Sequence, residues 1–163
     1  MDMEKLRKAA DEFMKLQRFG LAGASRKGDT AGNVIYKKLR ERGYEIYPIH
    51  PSASEIEGDM AWHNIDSVPA KLEGLIIATP PEAALELVQQ CHELGINHVW
   101  MHRSFGQGSV DAKAVEYGRE NGIKVIPGGC PLMFNEPVDI GHKCIRWLAG
   151  VSGNLQEPVE RAG

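Results

Sequence analysis

"FGLAGASRKGDTAGNVIYKKL", residues 19–39, is the most informative part of the sequence for the fold. Its first six residues, 19–24, are all apolar or glycine, which is typical of a strand buried on both faces. Residues 31–42 have the apolar spacing of a helix, and Gly43 ends it. The apolar residues of this helix are expected on one face: Val34, Ile35 and Leu39. A buried strand, a turn of small residues and a helix are the start of a βαβ unit.

The turn at residues 23–30 is close to a phosphate-binding P-loop, but it departs from that motif at one position. The motif G-x-x-x-x-G-K-[ST] requires lysine where this chain has Asp29, and a carboxylate there would repel a phosphate. We interpret Asp29 as structural, with Asp29 or Thr30 as the N-cap of the following helix.

The same turn has other features that suit an anion. Gly23 permits close backbone approach, the helix behind it offers free N–H groups, and Arg26 and Lys27 add two cations. We therefore expect a phosphate cradle built mainly from backbone N–H groups, in which Gly23→Val abolishes binding and leaves the fold intact. The alternative is that Gly23 serves only strand-to-helix packing and that both cations are solvated.

The rest of the chain repeats the alternation of strands and helices. This rhythm predicts an α/β, Rossmann-like, doubly wound and mainly parallel sheet of about five strands with helices on both faces. Residues 52–73 are irregular, with a short strand near Trp62. The further predicted strands are 44–49, 74–79, 97–102 and 124–127, and the further predicted helices are 3–17, 82–94, 109–121 and 136–148.

Length and composition indicate one soluble domain. A chain of 163 residues with 42% hydrophobic and 25% charged residues can bury one core, expected over residues 1–150, followed by a mobile polar tail at 151–163. A net charge of −3 gives no reason to expect nucleic acid or an anionic membrane as partner. No apolar run reaches membrane length, no signal peptide is evident, and the three cysteines form no C-x-x-C pair. The cytoplasm is the expected compartment.

Two nucleotide-binding interpretations are weak. An NAD site needs the full G-x-G-x-x-G fingerprint and an acid closing the second strand, where this chain has His50 and Pro51. An ATPase needs the missing P-loop lysine. A metal site is not indicated either, because His98 and His102 are roughly 13 Å apart along one strand.

Several segments, in their order along the chain, carry a family resemblance. Gly23-Ala24-Ser25, then "GYEIYPIHP", "IIATPPEAALELVQQCHELGINHVWMH" and "GIKVIPGGCPLMF" resemble the CoA-binding domain family. Members are small Rossmann-like proteins similar to the CoA-binding domain of the succinyl-CoA synthetase alpha subunit. The resemblance covers about residues 5–148.

The resemblance implies coenzyme A as the ligand and a place for each part of it. It implies that the glycine turn cradles the pyrophosphate, that the segment after the second strand meets the adenosine, and that the turn after the third strand lines the same cleft. Relatives often carry Asn-Pro-Lys after the second strand, and this chain has no lysine there, so Arg103 is the candidate for that charge. The candidate CoA-binding residues are Gly23, Ala24, Ser25, Arg26, Lys27, His50, Pro51, Thr79, Pro80 and Arg103.

The expected function is binding of CoA or an acyl-CoA by a module that is not itself an enzyme, with a regulatory role left open. The resemblance places the ligase chemistry of the synthetases on further domains. One alternative is a small acyl-CoA-processing enzyme that uses Cys130 or His102. A second is an NAD- or nucleotide-binding regulator. A homo-oligomer or a protein partner stays open, and no catalytic or metal-binding residue is assigned.

Overall fold

Five parallel strands form the central sheet of this computed structural model, which describes residues 2–134. Each strand is short and nearly continuous in apolar residues, as expected for a parallel sheet covered on both faces. A separate two-stranded antiparallel hairpin lies between the second and third of them. In chain order the strands are β1 (Arg18–Ala22), β2 (Glu45–Ile49), the hairpin strands β3 (Glu55–Ile56) and β4 (Asp59–Met60), β5 (Gly74–Ile77), β6 (His98–Met101) and β7 (Lys124–Pro127).

The strand order β2-β1-β5-β6-β7 places β1 inside the sheet, between β2 and β5. In register, Leu21 of β1 lies opposite Pro48 on one side and Ile76 on the other. The chain therefore leaves β1 toward one edge and later returns to the other side of β1. In doubly wound sheets such a reversal opens a crevice at the carboxyl ends of the two neighbouring strands, which here are β1 and β5. Ligands bind in this crevice.

Within residues 2–134, four α-helices cover the two faces of this sheet: α1 (Met3–Met14), α2 (Ala31–Glu41), α3 (Ala84–Glu93) and α4 (Ala112–Glu120). Neighbouring residues of one strand contribute to opposite cores, as the pleat requires. Trp100 packs on the core that includes residues of α1 and α2, whereas Val99 and Met101 pack on the core that includes residues of α3 and α4. The predicted α/β Rossmann-like sheet with helices on both faces is confirmed.

Some predicted boundaries and faces are wrong. Helix α1 ends at Met14 rather than at 17, because the N–H groups of Gln17 and Arg18 donate to the Glu73 carboxylate instead of continuing the helix. The sequence predicted Val34 on the apolar face of α2 with Ile35 and Leu39, but Val34 is 44% exposed whereas the other two residues are buried.

Around Trp62 the structure has an isolated parallel bridge to Ile49 rather than a strand. The Trp62 N–H donates to the carbonyl oxygen of Pro48 (2.9 Å), and the Trp62 carbonyl accepts from the N–H of His50 (2.8 Å). This bridge fixes residues 62–64 beside the end of β2.

The predicted helix 136–148, the tail 151–163 and the domain boundary at 150 lie outside the described residues. Within residues 2–134, no helix is long and apolar enough to span a membrane.

Candidate functional site

A cavity of about 520 Å³ opens where the carboxyl ends of β1, β2 and β5 meet. This is the crevice that the reversal of strand order creates, and its volume lies within the usual range for small-molecule sites. Its walls come from the turn after β1, the segment after β2 and the turn after β5 with the start of α3. The lining residues are Ala22, Gly23, Ala24, Ser25, Ile49, His50, Pro51, His63, Asn64, Thr79, Pro80, Ala83, Glu86, Leu87 and Gln90.

The turn after β1 is packed backbone against backbone. Gly23 has φ of +113°, and a Cβ on it would lie 2.3 Å from the carbonyl carbon of Ala78, which follows β5. On the opposite side, a Cβ on Gly32 in the first turn of α2 would lie 2.7 Å from the Gly23 carbonyl. Both glycines are therefore required by packing. The expectation that Gly23→Val leaves the fold intact is wrong, because the new side chain collides with the backbone beside Ala78.

Asn33 of α2 holds this turn in place. It is fully buried, its side-chain Oδ1 accepts from the Ser25 N–H (2.8 Å), and its Nδ2 donates to the Ser25 carbonyl (2.9 Å). Nδ2 also donates to Glu57 Oε1 (2.8 Å) in the hairpin connection. One side chain thus ties the cradle to the β3–β4 hairpin.

Sequence reasoning missed Asn33, although its spacing from Thr30 contained a signal. Thr30 is the N-cap of α2, and with Asn33 three residues later it forms a reciprocal capping box. The Thr30 hydroxyl also lies 3.0 Å from the Gly23 carbonyl oxygen. Of the two predicted caps, Thr30 is the one the structure uses.

The charged residues of the turn are exposed. Asp29 accepts a hydrogen bond from the Ser25 hydroxyl (2.6 Å), and that hydroxyl oxygen accepts from the Lys27 N–H (3.1 Å). Asp29 therefore closes the turn on itself, which supports its structural role. Arg26 and Lys27 are exposed on the same turn but do not line the cavity.

The end of β2 presents His50 to the cavity. Its Nδ1 accepts hydrogen bonds from the N–H groups of Ser52 (3.1 Å) and Ala53 (2.9 Å), so the ring shapes the turn that follows the strand. Partial burial, followed by the positive charges of Arg26 and His63, lowers the pKa of His50 below its ordinary value.

His63 and Asn64 line the same wall, and sequence reasoning missed both. His63 Nδ1 lies 3.0 Å from the carbonyl oxygen of Pro51. The two residues reach the cavity through the Trp62 bridge to β2, a contact between residues far apart in the chain. The short strand predicted near Trp62 was the one sequence signal for this contact with β2.

The turn after β5 forms the opposite wall. Thr79 and Pro80 line the cavity, and the Thr79 carbonyl accepts a hydrogen bond from the Ser109 hydroxyl (2.6 Å). Farther along this wall, the Gln90 amide donates to Glu86 Oε1 (3.3 Å). The cavity is therefore mainly apolar, with polar groups concentrated near the glycine turn, the two histidines and this pair.

Three other predicted residues lie outside the cavity. The Arg103 N–H donates to the Gly129 carbonyl (2.9 Å), which links the ends of β6 and β7. His102 is 9% exposed and its Nε2 lies 3.1 Å from the Ser104 hydroxyl. Cys130 is 2% exposed within the core on the α1 and α2 face. The structure thus brings together seven of the ten candidate binding residues and separates Arg103, Arg26 and Lys27 from the cavity wall.

No cluster of three or more histidine, cysteine or acidic residues within residues 2–134 could hold a metal ion.

Comparison with known proteins identifies the family. The model of the CoA binding domain matches residues 17–136, which include every residue that lines the cavity. The chain belongs to the CoA-binding domain family. This membership confirms the resemblance read from the glycine turn and the segments after the second and third predicted strands.

Proteins similar in sequence to this chain include archaeal ligases. The chain is 24% identical over 132 residues to the acetate–CoA ligase (ADP-forming) II subunit alpha of Pyrococcus furiosus, a match that covers 77% of this chain and 29% of that protein. It is 26% identical over 111 residues to acetate–CoA ligase (ADP-forming) II of Archaeoglobus fulgidus, covering 63% and 16% respectively. The chain therefore spans less than a third of the length of these relatives.

A solved structure of a hypothetical protein from Pyrococcus horikoshii OT3 has the same fold. It superposes with a TM-score of 0.73 at 24% identity, over 85% of this chain and 92% of that one.

Proposed function

We propose that the cavity at the β1–β5 crevice binds coenzyme A or an acyl-CoA, and that the chain acts as a binding module. The observation that carries this proposal is the convergence of three separate segments on one cavity in a chain of the CoA-binding domain family. The glycine turn, His50 with Pro51, and Thr79 with Pro80 all line it.

In this proposal the pyrophosphate lies at the glycine turn. Gly23, Ala24 and Ser25 line the cavity, so backbone groups of this small-residue turn can approach the ligand closely. Arg26 and Lys27 add attraction from the rim. Because they are exposed, each contributes a modest term that salt screens.

A catalytic role for Cys130 or His102 receives no support from their positions. Cys130 is packed in the core, and neither side chain lines the cavity. Neither side chain therefore belongs to the wall that a bound ligand would contact. The enzyme alternative therefore predicts a turnover that the binding-module proposal does not.

The test is calorimetric titration of the purified protein with CoA, acetyl-CoA, NAD and ATP, after native mass spectrometry has checked for a co-purified ligand. When unfolding of the same protein is measured with and without ligand, CoA at a hundred times its Kd should raise the free energy of unfolding by roughly 2.7 kcal/mol. NAD and ATP should do much less at equal concentration. Equal or stronger binding of NAD would replace the CoA assignment with a dinucleotide site, and hydrolysis of acetyl-CoA lost in Cys130→Ser would establish the enzyme alternative.

Charge variants test the placement of the pyrophosphate. Arg26→Ala and Lys27→Ala should each weaken CoA binding by about two- to fivefold in low salt and by less at 0.5 M salt. Lys113→Ala, which removes an exposed cation on α4 outside the cavity, is the matched control. If Lys113→Ala weakens binding as much as the two turn variants, the pyrophosphate does not lie at this turn.

A further inference from the structure

Two histidine rings line the cavity, and their neighbours impose opposite hydrogen-bonding roles on them. His50 and His63 both belong to the wall after β2. Each ring uses its Nδ1 to contact the backbone, which leaves the Nε2 atom of each for a ligand.

His50 is fixed as a hydrogen-bond donor. Its Nδ1 lies 3.1 Å and 2.9 Å from the backbone nitrogens of Ser52 and Ala53. Backbone N–H groups only donate, so this Nδ1 must carry a lone pair. In the neutral ring the proton is then on Nε2.

His63 is fixed in the opposite tautomer. Its Nδ1 lies 3.0 Å from the carbonyl oxygen of Pro51. A carbonyl only accepts, so this Nδ1 must carry the proton. In the neutral ring Nε2 is then a lone-pair acceptor. Pro51 stands between the two rings in the chain, so one turn sets both tautomers.

We propose that His50 and His63 together recognise the adenine base of the ligand, with His50 Nε2–H donating to adenine N1 and His63 Nε2 accepting from the N6 amine. This inference rests on the proposed CoA function and specifies how the nucleotide is distinguished. On its Watson–Crick edge adenine presents the N1 acceptor next to the N6 donor, which matches one donor and one acceptor.

Other ligand groups match the pair less well. A phosphate offers only acceptors at neutral pH, so it could use His50 but would face the lone pair of His63. Hypoxanthine has a protonated N1 beside a carbonyl oxygen, which reverses the donor and acceptor on that edge. The pair therefore favours an amine-bearing base and makes this wall unsuited to the ribose phosphate.

The experiment compares CoA with 1,N6-etheno-CoA, in which an added ring occupies N1 and removes the N6 hydrogens. Titrations are made at pH 8, above the ordinary histidine pKa of about 6.5. The parent protein should bind etheno-CoA roughly tenfold or more weakly than CoA, because two hydrogen bonds are lost. Equal affinity for the two ligands would overturn the assignment to the histidine pair and leave the CoA function standing. Absence of CoA binding would overturn the function itself.

Variants of the two rings assign the effect to them. His50→Asn keeps a side-chain acceptor for the turn, and His63→Asn keeps an amide donor for the Pro51 carbonyl, whereas each loses its Nε2 atom. Each should weaken CoA binding roughly three- to tenfold and leave etheno-CoA within twofold. His92→Asn, an exposed histidine on α3 outside the cavity, is the matched control. Equal weakening of both ligands by the cavity variants would overturn the proposal.

Discussion

Replacing Asn33 by aspartate tests the cradle most directly, because the change keeps the size of the side chain and removes the donor of two hydrogen bonds. The asparagine Nδ2 donates to the Ser25 carbonyl at 2.9 Å and to Glu57 Oε1 at 2.8 Å. In Asn33→Asp both contacts become oxygen against oxygen, in a side chain with no exposure to solvent.

The magnitude follows from these two contacts. The bond to the neutral carbonyl contributes about 1 kcal/mol, and the bond to the Glu57 carboxylate about 1.5–3 kcal/mol. Repulsion between two carboxylates about 4 Å apart adds up to about 4 kcal/mol at an effective dielectric constant of 20. We therefore expect Asn33→Asp to lower the free energy of unfolding by at least about 3 kcal/mol at pH 7, a large part of the usual 5–15 kcal/mol.

The loss should also depend on pH in a defined direction. Burial beside Glu57 raises the pKa of the introduced carboxyl above its unfolded value, so the destabilisation is full above the folded pKa and shrinks as pH falls through it. The assay is urea unfolding of parent and variant at pH 7 and pH 5, with exposed Asn97→Asp as control. If Asn33→Asp costs no more than Asn97→Asp, the buried network does not hold the turn, and the reasoning fails.

Two further predictions concern packing and pH. Gly32→Ala should lower the free energy of unfolding by about 1–3 kcal/mol in urea titrations and should weaken CoA binding, because the added methyl group displaces the backbone at Gly23. A variant as stable as the parent would show that the first turn of α2 can move away from the turn after β1 at no cost. Burial, and after it the charge of Lys124, lowers the pKa of His98. Between the lowered pKa and the ordinary histidine pKa, the unfolded chain therefore binds a proton that the folded protein does not. The free energy of unfolding should fall as pH drops from about 7.5 through the ordinary pKa toward the lowered one. His98→Gln should flatten that slope in urea titrations at pH 7.5 and 5.5, whereas an unchanged slope would assign it to other groups.

The sheet could be predicted from the sequence because its strands are short apolar runs separated by helices of ordinary length. The run at 19–24 needed no knowledge of its neighbours to be recognised as buried. Helix ends were less predictable, since α1 ends where Glu73, more than fifty residues away, accepts the N–H groups of Gln17 and Arg18. A contact between distant residues leaves no local pattern.

The residues of the candidate site likewise differ in whether the sequence could place them. Gly23 and Thr79 lie at the ends of predicted strands and His50 follows one, so the rule that ligands bind at strand ends could place them near one another. Asn33 and His63 could not be found by that rule. Asn33 stands on the buried face of a helix, where polar residues are not expected, and His63 reaches the cavity through a bridge formed by Trp62.

The stacked backbones at Ala78, Gly23 and Gly32 limit how this protein can change over evolutionary time. No side chain separates these three segments, so a substitution at either glycine cannot be offset by trimming a neighbouring residue. Neither glycine can therefore be replaced without moving the floor of the crevice. New ligand preferences are more easily reached through the side chains of the two walls, such as His63 after β2 or Glu86 and Gln90 on α3.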